Sequence, residues 1–165
     1  MARRPATRAR CERERADSGR RGHGRRLGQD LQVQKARLFS CDLLDRFAST
    51  YQIEIVTWAH PGERVHSTVV WAVVGQDRAS VYVRSVRGQR GRWYRELLTN
   101  PEGEAVVAGE RVSLRAVPVT SADEIERAST AFRQKYAREG PHLFAIVRPE
   151  VLAATLRLEP RSSIS

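Results

Sequence analysis

Two apolar hairpins constrain this chain more than any other feature. "RVHSTVVWAVV" (Arg64–Val74) and "SVYVRSV" (Ser80–Val86) are rich in β-branched residues and are joined by the turn "GQDRA". "EAVVAG" and "RVSLRAVPV" form a second pair around Gly109 and Glu110. Connections this short allow only antiparallel pairing, because a parallel crossover needs a dozen residues or more. A further strand, "QIEIVTWA", alternates Ile53, Ile55 and Thr57 against Glu54 and Val56 and ends in the turn "HPGE". "AATLRLEP" supplies a last strand.

Helical periodicity appears only between these runs. "SCDLLDRFASTY" has Ser40 as N-cap and Leu43, Leu44 and Phe47 on one face. "GRWYRELLTNP" groups Tyr94, Leu97 and Leu98, and Asn100-Pro101 stops it. "TSADEIERASTAFRQKYARE" carries Ser121 and Glu124 in the capping-box spacing and Ile125, Ala128, Phe132 and Tyr136 as its apolar stripe. Gly140-Pro141 ends that helix, and a loop holding His142 leads to "VRPEV". Hairpins with helices inserted between them predict an α+β protein built on an antiparallel split β-barrel, not a doubly wound parallel sheet.

Charge divides the chain. Residues 1–37 carry 12 Lys+Arg against 4 Asp+Glu, whereas residues 38–165 carry 17 against 15. Residues 1–37 also have no apolar stripe, which predicts a disordered basic N-terminal extension. The folded domain is expected over 38–160, with 161–165 as a tail. A nearly neutral domain makes nucleic-acid binding unlikely outside weak contacts through the basic extension. Only Lys35 and Lys135 are lysines, so arginine is the default cation and its placement matters more than its number. Cys11 and Cys41 match no metal spacing and no disulfide framework, and a reducing cytoplasm is the simplest reading. The four histidines show no metal-ligand spacing, so no metal site is expected. No apolar run reaches the length of a membrane span.

One connection stands out chemically. "RSVRGQRGRWYREL" (Arg84–Leu97) holds five arginines and two glycines between a strand and a helix. It matches neither a P-loop nor a dinucleotide fingerprint. It contains the G-x-x-G of KH domains, but a strand precedes it where that clamp has a helix. A helix starting near Gly91 to Trp93 leaves its first N–H groups unpaired and adds about half a positive charge there. Arg87, Arg90 and Arg92 crowd that end, an arrangement that costs stability unless an anion is bound. Trp93 and Tyr94 have two readings: both pack in the core against the sheet, the commoner fate of helical aromatics, or Trp93 lies beside a planar ligand while Tyr94 packs inward. No serine, cysteine or carboxylate pattern identifies a catalytic residue.

From about Tyr51 to Pro160 the chain resembles an uncharacterised bacterial family of the FMN-binding split-barrel superfamily, which includes pyridoxamine-phosphate oxidase and deazaflavin-dependent nitroreductases. "GERVHSTVVWAVV", "VYVRSVRGQRGRWYRELLTNPE" and "VRPEVLAATLRLEP" carry the resemblance. The pattern W-Y-x-x-L-x-x-N-P from Trp93 to Pro101 is most similar to the deazaflavin-dependent group. The resemblance implies a cofactor, FMN or a deazaflavin coenzyme, held by Arg64, Arg84, Ser85, Arg87, Arg90, Arg92 and Trp93. In that group a basic pair lies before the second strand, and here it is reduced to Arg64. A homodimer with the cofactor cleft between subunits and a small-molecule electron acceptor are also implied. Three readings stand side by side. They are a flavin- or deazaflavin-dependent oxidoreductase, a non-catalytic split-barrel module for a flavin, another phosphorylated ligand or haem, and a nucleic-acid-binding protein.

Overall fold

The computed structural model describes residues 11–13 and 38–161. The N-terminal extension therefore falls outside the described residues except for Cys11–Arg13, and so does most of the tail. The elements run α1 (Cys41–Ser49), β1 (Ile53–Thr57), β2 (His66–Val70), β3 (Ala72–Val74), β4 (Val81–Arg84), α2 (Arg92–Thr99), β5 (Glu102–Val107), β6 (Glu110–Pro118), α3 (Ala122–Lys135), α4 (Pro141–Val147) and β7 (Thr155–Pro160). Two 3-10 turns, Gly88–Arg90 and Pro149–Ala154, precede α2 and β7.

All seven strands form one antiparallel sheet in the order β2-β1-β5-β6-β7-β4-β3. The outermost strands, β2 and β3, are separated by one residue, Trp71. A sheet whose two edges are joined through a single residue must curl back on itself, and this makes the α+β split barrel. The long strand expected over Arg64–Val74 is thus two strands. Its first half pairs with β1 across Ile53↔Val70 to Thr57↔His66, and its second half pairs with β4 across Ala72↔Val83 to Val74↔Val81. Alternation alone did not separate them, because each half is β-branched and each is partly buried.

The core has two layers. Inside the curl, Ile55, Val83, Leu97, Leu114, Leu156 and Leu158 pack with α1 and α2. On the other face of β3 and β4, Val73 and Tyr82 meet Phe132, Tyr136 and Ile146 of the α3–α4 layer. All four residues of β4 are consequently buried, where a strand with one wet face would alternate. Burial of each apolar side chain among them contributes about 1.5–3 kcal/mol.

The helices start where the capping residues indicate, with two corrections. Ser40 and Ser121 accept from the N–H groups of Leu43 and Glu124. The Glu124 carboxylate, however, does not close the capping box; it accepts from Tyr82 Oη and Arg157 Nη1 and ties α3 to β4 and β7. α3 stops at Lys135, before Gly140-Pro141, and that pair opens α4 instead, with Pro141 in its first turn. Proline suits a first helical position because its missing N–H is unpaired there anyway. The segment expected as a loop is therefore mostly helical.

The cysteines need the third correction. Cys11 and Cys41 are joined in a disulfide, with Cα atoms 5.6 Å apart. Their spacing carried no signal, since the bond joins one residue of the extension to the first turn of α1. Disulfides persist in oxidising surroundings, so a reducing cytoplasm no longer follows from the cysteines. Among the described residues, no helix is long and apolar enough to cross a membrane.

Candidate functional site

The connection from β4 to α2 is a compact folded unit. Gly88 N–H donates to the Ser85 carbonyl at 2.9 Å, and Gly91 N–H to the Gly88 carbonyl at 3.2 Å. Gly88 has φ +60°, the left-handed region that a side chain disfavours. Gly91 is fixed for another reason: a Cβ there would meet Ser85 Oγ at 2.2 Å. The loop can close on β4 only with glycine at that position.

Gly91 is the N-cap of α2, and no side chain caps the helix start. Gly91, Arg92 and Trp93 at the helix start line a cleft of about 750 Å³. Arg84, Ser85, Arg87, Arg92 and Trp93 line one wall; Thr68, Val69, Val70 and Trp71 line the next. His142, Ala145 and Ile146 of α4 complete it, with Gln52 at the rim. No aspartate or glutamate is among these lining residues. Trp71 stacks on Tyr136 with ring centres 3.9 Å apart and planes 5° from parallel, so the hinge between the sheet edges presents a flat, held indole.

Arg84 is the most unusual of the lining residues. It is 1% exposed, and its hydrogen bonds go to neutral oxygens: Nε to Thr155 Oγ1 (2.7 Å), Nη1 to the Ile146 carbonyl (3.0 Å) and Nη2 to the Ile125 carbonyl (3.2 Å). Its guanidinium carbon lies 5.3 Å from the centre of the Phe132 ring. No carboxylate within ion-pair distance neutralises it among the described residues. Burial, and secondarily the charge of Arg133, push its pKa down to about 10, so it remains a cation at neutral pH. Arg84 thus brackets β4, β7, α3 and the last turn of α4, and it adds an unneutralised charge beside the cleft. Ser85 is buried next to it.

Five of the residues singled out from sequence are therefore brought together: Arg84, Ser85, Arg87, Arg92 and Trp93. Arg90 is exposed on the 3-10 turn and Arg64 in the β1–β2 connection, and neither lines the cleft. Tyr94 packs inward and donates its hydroxyl to the Ala153 carbonyl. Arg95 is exposed. Sequence reasoning missed Trp71 and the α4 wall. Pro141 as a helix-start signal would have indicated α4, but nothing local marks Trp71 as a hinge. The lining suits an anionic group on a planar body, since it combines Arg84, Arg87 and Arg92 with Trp71, Trp93, Val70 and Ile146. No group of three or more histidine, cysteine, aspartate or glutamate residues is placed to hold a metal among the described residues.

A second cluster joins α2 to β1 and β2. The Glu96 carboxylate, 11% exposed, accepts from Thr57 Oγ1 at 2.5 Å and lies 2.7 Å from His66 Nδ1. The three residues come from α2, β1 and β2 respectively.

A model of a bacterial family described as uncharacterised conserved proteins (DUF2255) matches residues 43–158. No curated protein matches the chain. Among solved structures, the haem storage protein HutZ of Vibrio cholerae superposes with TM-score 0.53 at 15% identity, over 74% of this chain and 89% of that one. A candidate pyridoxamine 5'-phosphate oxidase of Listeria innocua gives 0.53 at 12%, over 73% and 92%. A haem-binding protein of Mycobacterium smegmatis gives 0.54 at 14%, over 74% and 52%. Identities this low establish the shared split-barrel fold.

Proposed function

This chain belongs to the DUF2255 family of bacterial proteins, and we propose that it binds a planar phosphorylated cofactor, FMN or a deazaflavin, in the cleft at the start of α2. The cofactor phosphate is held by the α2 N-terminus with Arg87 and Arg92, and the ring lies toward Trp71 and Trp93. When bound, such a ring supplies hydride, here to a small acceptor. The chain's own contribution is orientation and exclusion of water, which hydride transfer needs. A homodimer closes the cleft, consistent with the exposed Val69, Val86 and Phe144 near its rim.

The observation that supports this reading is the charge imbalance of the wall. Three arginines and an uncapped helix start face a cleft lined by no carboxylate, an arrangement that an anion stabilises. The test is the visible absorption of protein purified from its native host, followed by titration of the apo protein with FMN and with the deazaflavin coenzyme. Uptake of either at micromolar concentration supports the reading, and indifference to both rejects it.

One observation favours a second reading, a non-catalytic haem module. His142 lies in the cleft wall, where an imidazole can ligate iron while the arginines meet the propionates. Two of the proteins of similar fold carry haem in their descriptions. A Soret band that disappears in His142→Ala would select this reading.

A further inference from the structure

The Thr57–Glu96–His66 cluster has the form of an acid–base site. An ionised carboxylate only accepts hydrogen bonds. Glu96 takes one from Thr57 Oγ1, and its other oxygen faces His66 Nδ1. Nδ1 must therefore carry the proton, which leaves Nε2 as the ring nitrogen that gains or gives one. The His66 side chain is 23% exposed, so water reaches it, whereas Thr57 is fully buried and Glu96 nearly so. In a chain whose cations are nearly all arginine, this enclosed carboxylate is matched to a titratable histidine instead.

None of the three lines the cleft, but His66 and Glu96 each adjoin a residue that does. His66 precedes the cleft residue Thr68 by two positions on β2, on the same face and roughly 7 Å along the strand. Glu96 lies one turn beyond the cleft residue Trp93 on α2. We propose that His66 Nε2 is the proton donor for an acceptor reduced in the cleft, with Glu96 as its positioning residue and Thr57 holding Glu96 in place. This rests on the hydride-transfer reading given above. A reduced flavin, when bound, would supply the hydride, two electrons and one hydrogen, that an activated double bond takes at one carbon. His66 Nε2–H supplies the second hydrogen as a proton, directly or through one water. The imidazole is left neutral and regains its proton from solvent. The substrate class is accordingly an acceptor that needs both hydride and proton, such as an α,β-unsaturated carbonyl compound.

The apo protein gives the first test. Long-range proton–nitrogen NMR should place the neutral ring's proton on Nδ1, and His66 should react with diethyl pyrocarbonate faster than in Glu96→Gln. A proton on Nε2, or equal reactivity in the two proteins, overturns the assignment whether or not a flavin binds. The second test uses FMN-loaded, reduced protein with two oxidants, cyclohexenone and ferricyanide, of which only the first must be protonated. His66→Gln keeps a side-chain donor for Glu96 and should slow enone reduction about 10²–10⁴-fold, the usual contribution of a positioned acid, while ferricyanide reduction is unchanged. Equal losses with both oxidants would mean that the cluster only braces α2, and loss in His142→Gln in place of His66→Gln would move the role to that residue; either overturns the proposal. If FMN fails to bind, the cofactor reading falls, and the tautomer and acylation results alone decide for or against the acid–base site.

Discussion

The two ends of α2 are built on opposite principles. At the N-terminal end the helix has no side-chain cap, Arg87 and Arg92 add positive charge, and no carboxylate lines the adjoining cleft. From the last turn onward the polar side chains of Glu96, Thr99 and Asn100 all find partners. Glu96 is held by Thr57 and His66, Asn100 N–H returns to the Glu96 carbonyl, and Asn100 Nδ2 reaches the Trp58 carbonyl. One eight-residue helix thus has a satisfied end anchored to the sheet and an unsatisfied end facing a cleft. The anchored end makes the open end possible, because a frustrated helix start persists only where the rest of the helix is held.

The largest expected effect breaks the frame behind the open end. Arg84→Ala removes three hydrogen bonds and leaves the Ile146 carbonyl, in the last turn of α4, without its donor. Even with the desolvation cost of the cation relieved, the loss should be about 3 kcal/mol of stability, since three hydrogen bonds of about 1 each are lost and one acceptor is orphaned. A denaturant melt measures it, and an unchanged midpoint would show that Arg84 does not bracket α3 and α4. Next comes the anchored end. Glu96→Ala should destabilise the apo protein by about 2 kcal/mol, because Thr57 Oγ1 is left buried and unpaired.

At the open end the sign should reverse. Arg87→Ala and Arg92→Ala should each weaken cofactor binding by about 1.5–3 kcal/mol. In the apo protein they should be neutral or stabilising by up to about 1 kcal/mol, since each removes a cation from a helix N-terminus. Calorimetric titration paired with thermal melts separates the two effects; a lower melting temperature with unchanged binding would show the arginines to be structural. The smallest effect belongs to Arg95→Ala. That exposed residue lies on the same helix outside the cleft, and its loss should change stability and binding by less than about 0.5 kcal/mol. Equal effects at Arg92 and Arg95 would erase the distinction between the cleft side and the solvent side of the helix.

Much of this was readable before any coordinates. Ser40 and Ser121 marked helix starts because an N-cap is a local hydrogen bond between neighbours in sequence. Gly91 and the arginines around it marked a charged helix start for the same reason. Val81–Arg84 was legible as a strand, but its burial on both faces was not, because the second face is covered by α3, about 40 residues later. Arg84 looked like another cation of the loop, and only the packing shows it to be enclosed. His66 and Glu96 are 30 residues apart and showed no spacing that suggests a pair.

The sequence by itself determined the antiparallel pairing, the capped helices, the basic connection at the mouth of α2 and the glycines that let it fold. These depend on interactions within one turn, one hairpin or one helical face. Only the tertiary structure decided that Trp71 divides one apolar run between the two edges of a curled sheet, that Arg64 and Arg90 stand apart from the cleft while α4 joins it, and that Thr57, Glu96 and His66 meet. The physical reason is range: capping and periodicity act between near neighbours, whereas closure of the sheet brings together residues whose proximity no local pattern encodes.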